Sequence, residues 1–477
     1  MTPWAIKLLG PNQLEIRTMN IVEQMKLFME PKSIAIVGVP RHTGEGSLNV
    51  LENLLDYGFS GKIFPVNPNA REILGVKTYP TIRDVPDKID LAVLLTPRSI
   101  TPVKLEECLE KDIKAIVIVS QGFADADEEG KALQEQVLKM AREGGARIIG
   151  PNSFGVANAF KKLNTAFVPF EMEEIPVGVI SQSGLFFQSL PNLMLIGKAI
   201  DPGNCCDIGF TDALEYFAAD PQTELILLHI EGLREGRKFM EVASRIAKRK
   251  MLVALKTGES EAGAKAAQSH TGSLAGKDEV YDAVFEQCGI IRATDIDEVA
   301  DIIKAYSYLS PMRGPRVAIA TAVYGAAAIA VDACEEYDLE LAKLSPKTIA
   351  EIAELAPSWL AVTNPVDLGG LIFSIGLKQV LERVMNTLLA DPQVDAVLFV
   401  GPSGHKDLFG CLDIIPEVAR RFQDKPIVSW LYGPHYHEFE AQLESTNTTA
   451  VFPTCERAIR ALSRLWRYRE STGRFAL

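Results

Sequence analysis

The segment SIAIVGVPRHTGEGSLNVLENLLDYGFSGKIFPVN, residues 33–67, contains a strand–helix–strand unit that decides the fold. Its two ends, SIAIVGV (33–39) and GKIFPVN (61–67), are short apolar runs, and the middle part, SLNVLENLLDYG, has the spacing of an amphipathic helix. Continuous apolar runs that end in Gly, Pro, Ser or Asn are typical of parallel strands buried on both faces. The segment therefore predicts a doubly wound α/β domain.

The same alternation continues along the chain and restarts twice. In the first series it continues through LAVLLTP (91–97), AIVIVSQG (115–122) and RIIGPN (147–152). The second series contains PVGVISQSG (176–184), ELILLHIEG (224–232), RKMLVALKTG (249–258) and GIIRA (289–293). The third contains GPRVAIATAVYG (314–325), VDAVLFVG (394–401) and KPIVSWL (425–431). We predict three α/β domains, at 28–157, 158–308 and 314–466, with residues 1–27 as an appendage.

Composition narrows the possible partners and compartment. Of the 477 residues, 49 are Lys or Arg and 62 are Asp or Glu, so the formal charge of −13 disfavours nucleic acid or an anionic membrane as the main partner. The apolar runs are too short for a membrane span, and the first residues lack the apolar core of a signal peptide. Seven scattered cysteines without a CxxC pair predict reduced thiols, hence a cytoplasmic protein.

Parallel sheets bind ligands outside the carboxyl ends of their strands. In the first domain, the loop GVPRHTGEGS between a strand and a helix would present backbone N–H groups to a phosphate, although ordinary loop chemistry is the alternative. A nicotinamide cofactor is not indicated, because the GxGxxG fingerprint is missing. The candidate ligand contacts at these strand ends are Gly38, Val39, Pro40, Arg41, Val66, Asn67, Pro68, Thr96, Pro97, Arg98, Ser120, Gln121 and Asn152.

The second domain has two polar strand ends of its own. SQSG (181–184) follows an apolar run, and its hydroxyl and N–H groups suit a transient phosphoryl group, or else the serines simply cap a helix. Glu231 closes the strand LILLHIEG, where it could orient an imidazole or merely face water. His229 on the same strand is better explained as a packed histidine.

His270 lies among small residues in AAQSHTGSLAG, residues 266–276. No Cys or second His stands at ligand spacing, so a metal site is not predicted. The hydrolase elbow G-x-S-x-G is also missing from SQSG. A nucleophilic histidine, which needs an orienting carboxylate and an anion cradle, fits the surroundings best.

Taken in order, these motifs resemble one known family over about residues 28–466. The set comprises KSIAIVGV, GFSGKIFPVNPN, ILGVKTYPTI, GPNSFG, SQSG, ADPQTELILLHIEG, LKTGESEAGAKAAQSHTGSLAG and NPVDLGG. It looks like the α subunit of the ADP-forming (NDP-forming) acyl-CoA synthetases, relatives of succinyl-CoA synthetase. The resemblance implies a CoA-binding Rossmann-like domain followed by two flavodoxin-like ligase domains.

The resemblance also implies a reaction through an acyl phosphate and a phosphohistidine. His270 would carry the phosphoryl group, Glu231 would position it, and the strand-end loops of the first domain would hold CoA. The implied phosphate-binding residues are Ser181, Gln182, Ser183, Gly184 and Gly272. The family's ATP-grasp module is not recognised in the chain, so the resemblance implies a separate β subunit in an α2β2 assembly, with ATP or ADP and Mg²⁺ bound there. The alternative is a non-catalytic CoA-binding sensor or scaffold of the same fold.

Three departures from the family pattern fall near the implied ligands. Val39-Pro40 replaces Ala-Ser in the first loop, Leu185-Phe186-Phe187 follows SQSG, and Cys205-Cys206 replaces Lys-Ala. Pro40 removes an N–H donor from the loop. The bulky residues after SQSG are expected to narrow the acyl pocket or to line it for an apolar or aromatic acid, so the substrate is a small carboxylic acid, with acetate not assumed.

Overall fold

We describe the protein from a computed structural model, in which the described residues are 19–187, 196–265, 277–406 and 409–473. Three sheets form its framework, each wound with helices on both faces. The elements of the first unit are α1 (Ile21–Met29), β1 (Ser33–Val37), α2 (Val50–Asp56), β2 (Lys62–Val66), β3 (Glu72–Ile73), β4 (Val76–Lys77), a 3₁₀ helix (Ile82–Asp84), β5 (Leu91–Leu94), α3 (Thr101–Glu110), β6 (Ala115–Ile118), α4 (Glu128–Glu143) and β7 (Arg147–Ile149).

The first sheet is parallel and runs in the order β2-β1-β5-β6-β7, while β3 and β4 form a small separate hairpin. Counted along the chain, this is the order 2-1-3-4-5 of doubly wound folds. The direction of winding therefore reverses between β1 and β5, and the two following connections diverge there. A crevice for a ligand is expected at this switch point, outside the carboxyl ends of the two strands.

The second unit repeats this order. Its elements are β8 (Gly155–Asn158), a 3₁₀ helix (Ala159–Lys161), β9 (Leu163–Asn164), β10 (Val177–Ser181), a 3₁₀ helix (Gly184–Phe187), β11 (Lys198–Asp201), α5 (Phe210–Ala219), β12 (Leu225–Ile230), α6 (Gly236–Ala247), β13 (Met251–Lys256), α7 (Asp278–Cys288), β14 (Ile291–Ala293) and α8 (Ile296–Tyr308). The sheet order is β14-β13-β12-β10-β11-β8-β9, so the switch point lies between β10 and β12.

Two short strands join the second sheet in the opposite direction. β8 pairs antiparallel with β11, and β9 pairs antiparallel with β8. The predicted boundary between residues 157 and 158 falls inside β8, because this strand completes the second sheet although it follows the first unit in the chain. The purely parallel pairing expected from the apolar runs therefore holds for β10–β14 and not for this edge.

The third unit has the same winding. Its elements are β15 (Arg316–Thr321), α9 (Gly325–Glu336), β16 (Glu340–Leu341), α10 (Pro346–Ala353), β17 (Val366–Asp367), α11 (Leu368–Ile375), α12 (Leu377–Ala390), β18 (Ala396–Pro402), α13 (Phe409–Leu412), α14 (Ile414–Ala419), β19 (Ile427–Tyr432), α15 (Tyr436–Glu444), β20 (Thr449–Phe452) and α16 (Cys455–Thr472). The order is β16-β15-β18-β19-β20, with β17 also paired to β15. The predicted α/β fold class is confirmed.

Alternate side chains of the central strands lie in different hydrophobic cores, one on each face of the sheet. Neighbouring sheets share such a core and are therefore stacked as layers. Ile34 of β1 joins a core that also contains Ile180 of β10, whereas Val37 joins the core on the opposite face of the first sheet. Val179 of β10 faces the other way, into a core shared with Val317 of β15. Because the side chains of a strand point alternately to its two faces, each inner sheet face shares its core with a neighbouring unit.

The helix α1 is part of this packing. Met25, Phe28 and Met29 are fully buried in the core shared by the first two sheets, and the backbone oxygen of Met29 accepts a 2.9 Å hydrogen bond from the Asn158 side chain. The expectation that residues 1–27 form an appendage is therefore wrong for residues 21–27; residues 1–18 lie outside the described part. No helix in the described ranges is long and apolar enough to cross a bilayer.

Candidate active site

The ends of β10 and β12 bring Ser181, Gln182 and Glu231 together. The two strands are parallel neighbours in which Ser181 lies opposite His229. β10 ends at Ser181 and β12 ends at Ile230, so Gln182 and Glu231 leave the sheet side by side. This is the switch point of the second sheet, where a parallel α/β sheet binds ligands.

Gln182 ties the two strand ends together. Its side-chain oxygen Oε1 accepts hydrogen bonds from the backbone N–H groups of Glu231 at 2.8 Å and of Gly232 at 3.0 Å. The backbone N–H of Gln182 donates to the backbone oxygen of His229 at 3.3 Å. Gln182 is only 6 % exposed, and the carboxylate oxygen Oε2 of Glu231 is buried from solvent. The backbone that carries Glu231 is therefore fixed from the neighbouring strand.

His229 is a neutral histidine of the interior. Its Nδ1 lies 3.1 Å from Ser181 Oγ and its Nε2 lies 3.2 Å from Thr257 Oγ1. The Ser181 hydroxyl donates to the Ser183 oxygen at 2.7 Å, so Nδ1 carries the imidazole proton and Nε2 accepts from Thr257. Burial, with a contribution from the charge of Lys256, lowers its pKa to about 4. Both ring nitrogens serve the fold.

The serine hydroxyls of SQSG serve the local backbone. Ser181 Oγ also accepts the N–H of Ser183 at 3.3 Å, and Ser183 Oγ accepts the N–H of Leu185 at the same distance. This is the turn and capping chemistry that serine commonly provides at a helix start. The segment continues as a 3₁₀ helix from Gly184 to Phe187. A phosphate cradle at Ser181–Gly184 stays a prediction.

The end of β11 adds a buried carboxyl that the sequence analysis did not single out. Asp201 accepts the N–H groups of Phe154 at 2.7 Å and Gly203 at 2.8 Å. Burial is the main cause that raises its pKa to about 7; the two hydrogen bonds oppose this rise, and the charge of Glu231 adds to it. An acidic residue directly after the apolar pair Ala199-Ile200, at the end of the strand KAID, was the signal available in the sequence.

The loop after β11 joins the first and second units. Asn204 is buried and its side-chain nitrogen donates to Asp125 at 2.8 Å and to Gln134 at 3.0 Å, both in the first unit. Asn152, after β7, approaches the Asn204 side chain at 3.4 Å. The carboxyl edges of the first and second sheets therefore lie next to each other.

The Cys205-Cys206 pair follows Asn204. Burial raises the pKa of the Cys205 thiol to about 12, and it raises that of the Cys206 thiol as well. Cys205 adopts a left-handed backbone conformation, with φ of 51°. Both side chains are thus neutral thiols, in contrast to the charged lysine of the family pattern.

The bulky residues after SQSG point into the core. Phe186 and Phe187 are 2 % and 0 % exposed. The Phe186 ring packs 5.6 Å from the His229 ring, and Phe187 lies 5.4 Å from Phe170 between ring centroids. The expectation that both rings line an open acyl pocket does not hold, because both are packed against interior rings; Leu185 is half-buried.

The first-domain candidates lie at the carboxyl edge of their sheet, each at a strand end or in the loop that follows. At the switch point, Gly38 has a φ of 82°, and a Cβ there would lie 3.0 Å from the Thr96 methyl group. The Asn67 side chain bonds the Val39 oxygen at 2.9 Å, which joins the ends of β2 and β1. The Ser120 hydroxyl donates to the Thr96 oxygen, which joins β6 to β5. These contacts form a continuous edge.

The two arginines at this edge, Arg98 and Arg41, differ in their surroundings. Arg98 donates to the Gly122 oxygen at 2.7 Å and pairs with Asp127 at 3.0 Å, so its guanidinium is engaged within the protein. Arg41 is exposed in the loop after β1, with Pro40 before it. Pro68, Pro97 and Gln121 line the other loops of the edge.

Two predicted site residues, His270 and Gly272, lie outside the described residues. In the ranges that the structure does describe, no group of three or more His, Cys, Asp or Glu side chains could hold a metal ion.

Comparison with known proteins identifies the class. Residues 32–159 match the family described as CoA binding domain, and residues 175–306 match the succinyl-CoA ligase like flavodoxin domain. A CoA-binding unit followed by such a ligase unit defines a CoA ligase.

The relatives identify the family within this class. The chain is 36 % identical to the α subunit of acetate–CoA ligase [ADP-forming] I of Pyrococcus furiosus, over 93 % of this chain and 97 % of that protein. The 4-hydroxybutyrate–CoA ligase [ADP-forming] of Nitrosopumilus maritimus is 32 % identical over 92 % of this chain and 64 % of its own length. A solved structure, the dinucleotide forming acetyl-coenzyme A synthetase 1 of Ca. Korarchaeum cryptofilum, superposes with a TM-score of 0.84 at 31 % identity, covering 95 % of this chain and 98 % of that one. The chain belongs to the α subunits of the ADP-forming acyl-CoA synthetases.

Proposed function

We propose that this α subunit interconverts acyl-CoA, phosphate and ADP with a carboxylic acid, CoA and ATP, through an acyl phosphate and a phosphohistidine at His270. The observation that carries the proposal is the meeting of SQSG (181–184) and Glu231 at the switch point of the second sheet, where Gln182 holds the Glu231 backbone. This places the start of a short 3₁₀ helix beside a carboxylate with one buried oxygen, at the edge where parallel sheets bind ligands.

The first half-reaction forms the acyl phosphate. A phosphate oxygen attacks the thioester carbonyl, the carbon–sulfur bond breaks, and CoA leaves with a proton on its sulfur. The protein's task is to hold phosphate and to stabilise the developing charge, for which backbone N–H groups at a helix start are suited. The proposed phosphate-binding residues are Ser181, Ser183, Gly184 and Gly272, whereas the side-chain oxygen of Gln182, also predicted there, already accepts two backbone N–H groups.

The second half-reaction passes the phosphoryl group through His270. A ring nitrogen attacks phosphorus, the bond to the acyl oxygen breaks, and the carboxylate leaves. Glu231 accepts the N–H of the other ring nitrogen, which raises the basicity of the attacking nitrogen and stabilises the charged phosphoimidazole. Burial of Glu231 Oε2 supports this role, since electrostatic interactions strengthen away from water. An ADP oxygen then takes the phosphoryl group and forms ATP.

CoA is proposed to bind at the carboxyl edge of the first sheet. The positive φ of Gly38 and its contact with Thr96 fit a backbone that a ligand approaches closely, since a side chain at this position would fill the crevice. Asn152 and Asn204 bring this edge beside the second-sheet site. A thioester bound along the first edge therefore has a short path to Glu231.

The nucleotide is proposed to bind, with Mg²⁺, to a separate ATP-grasp β subunit in an α2β2 assembly. Two relatives of Pyrococcus furiosus are named as α subunits, which supports a second component. We place its docking face on the third unit, where Trp359 is 75 % and Phe373 is 95 % exposed. A Cβ on Gly370, three residues before Phe373, would lie 3.7 Å from the Trp359 ring, so Trp359 lies against the helix that carries Phe373.

The acid is proposed to be a small carboxylic acid, and the enzyme is placed in the cytoplasm. Relatives are named for acetate, 4-hydroxybutyrate and trans-ferulate, and these three acids define the first panel to assay with ATP and CoA. All seven cysteines are unpaired, which supports a reducing compartment.

Radioactive labelling tests the proposal. The subunit is mixed with its β subunit and [γ-³²P]ATP, and the acid-labile label on the α chain is measured. We expect His270→Asn to abolish the label and His437→Asn, a change at an exposed histidine of α15, to leave it intact. Label that persists on His270→Asn contradicts the assignment. CoA binding with no label on the wild type instead identifies the non-catalytic sensor.

A further inference from the structure

We propose that Gln182 is a positioning residue, whose side-chain amide fixes the backbone of Glu231 and thereby the direction of the Glu231 carboxylate during phosphoryl transfer. This inference rests on the proposed function, in which Glu231 orients His270. It gives Gln182 a role different from that of a phosphate ligand.

The carbonyl oxygen of Gln182 is already used. An amide oxygen has two lone pairs, and Oε1 accepts two N–H groups, from Glu231 at 2.8 Å and from Gly232 at 3.0 Å. Both donors belong to the first two residues after β12, where no strand partner continues the ladder. The side chain thus replaces a missing strand residue and extends the pairing of β10 and β12 by one step. It holds the residue that carries the carboxylate.

The amide nitrogen of Gln182 is held from the other side. Since Oε1 faces two donors, Nε2 must face the Cys205 sulfur, at 3.6 Å. The Cys205 thiol in turn donates to the Gly203 oxygen at 3.5 Å. Because burial raises the pKa of Cys205 to about 12, the sulfur is a neutral acceptor at physiological pH. Gln182 therefore links the ends of three strands, β10, β11 and β12, in one orientation.

The consequence for the reaction follows from the geometry. Gln182 is 6 % exposed, so loss of its side-chain oxygen leaves the N–H groups of Glu231 and Gly232 without this acceptor, and the Glu231 backbone must turn to find other partners. A displacement of about 1 Å in a catalytic group costs about 100-fold in rate. The loss should appear in the phosphoryl-transfer step, since CoA binds at the other edge.

The test uses the α–β complex and three variants. Gln182→Met keeps the length and removes the acceptor, Gln182→Glu keeps an oxygen for both N–H groups, and Gln379→Met makes the same change on the exposed face of α12. Rapid-quench measurement gives the rate constant of His270 phosphorylation by acyl phosphate. A separate assay of the reaction from the thioester, at varied phosphate concentration, gives the apparent KM for inorganic phosphate. Thermal midpoints and CoA affinity are measured for each variant.

We expect Gln182→Met to lower the phosphorylation rate constant by about 30- to 100-fold with a KM for phosphate within about twofold of wild type. Gln182→Glu should recover about tenfold of the loss, although its charge near Glu231 limits the recovery. Gln379→Met should match wild type. A raised KM for phosphate with an unchanged rate constant would make Gln182 a phosphate ligand and overturn the proposal, as would a rate loss in Gln182→Met that Gln182→Glu does not relieve.

Cys205→Ala gives an independent check of the orientation. It removes the partner of Nε2, and we expect a loss of about threefold in wild type and none in the Gln182→Met background, because contacting residues are not additive. Equal losses in both backgrounds refute the link through Cys205. The two proposals fail on different results. Label that persists on His270→Asn contradicts the proposed function. If His270→Asn is unlabelled but Gln182→Met is labelled at the wild-type rate, only the positioning role of Gln182 is contradicted.

Discussion

Asp201 should make the second unit less stable as the pH rises from 5 to 8. Asp201 is 1 % exposed, and the pKa of its carboxyl is raised from 3.8 to about 7, chiefly by burial. An acid that binds its proton more tightly when folded contributes stability that is complete below the unfolded pKa, near 3.8. That contribution is lost as the pH rises through the folded pKa, near 7.

The size of the effect follows from the two pKa values. At 1.36 kcal/mol per pKa unit, the rise amounts to about 4 kcal/mol, of which about 2.5 kcal/mol is lost between pH 5 and pH 8. An unfolding entropy of about 2.1 cal/mol/K per residue gives about 1 kcal/mol/K if the chain unfolds as one unit. The loss then corresponds to about 2–3 °C in the thermal midpoint.

The assay compares the thermal midpoints of wild type and Asp201→Asn from pH 5 to pH 8. The Asn amide must turn its NH₂ group toward a backbone N–H, of Phe154 or Gly203, so the variant should be less stable at pH 5 by about 1–3 kcal/mol. The difference between the proteins should shrink by about 2–3 °C at pH 8, because the variant has no proton to lose. Asp56→Asn, at an exposed carboxyl of α2, should track wild type at every pH. Parallel curves for wild type and Asp201→Asn refute the reasoning.

Three further predictions concern the crevice at Gly38, the core around Phe187 and the exposed pair Trp359 and Phe373. Gly38→Ala should weaken CoA binding at least tenfold by isothermal titration, because the added Cβ meets Thr96 at a φ of 82°, whereas Gly236→Ala, with open space around it, should not; equal affinities contradict a crevice at the switch point. Phe187→Ala should lower the free energy of unfolding by about 3–5 kcal/mol in thermal denaturation, and a loss below about 1 kcal/mol contradicts its burial. The double change Trp359→Ser and Phe373→Ser should abolish co-purification of the β subunit while CoA binding persists, and retained β subunit contradicts the docking face.

The parallel core of each unit was predictable from the sequence because its signal is local. Runs such as SIAIVGV are apolar on both faces, and turn residues mark their carboxyl ends. The strand β8 has four buried residues but pairs with β11, about 40 residues later, so no local pattern assigns it to the second sheet. The helix α1 is likewise explained by tertiary burial of Met25 and Phe28, which sequence spacing alone does not reveal.

The meeting of the two strand ends was predictable from the sequence, whereas their contacts were not. Parallel strand ends meet at one edge, so the ends of β10 and β12 were expected to bring Ser181 and Glu231 to the same edge. Which backbone groups the Gln182 side chain bonds depends on the register of β10 and β12. A shift of that register by one residue would move the N–H of Glu231 out of reach of the Gln182 side chain. The direction of Phe186 depends equally on the turn at Ser183, which the sequence leaves undetermined.

The loop after β11 contacts both of the first two units. Asn204 anchors it to Asp125 in the first unit, and the next residue, Cys205, touches Gln182 in the second. A change in the spacing of the two units must therefore strain either the Asn204 anchor or the Gln182 amide. Gln182 also bonds the backbone of Glu231, so one turn of chain connects the first unit with the strand end that carries Glu231.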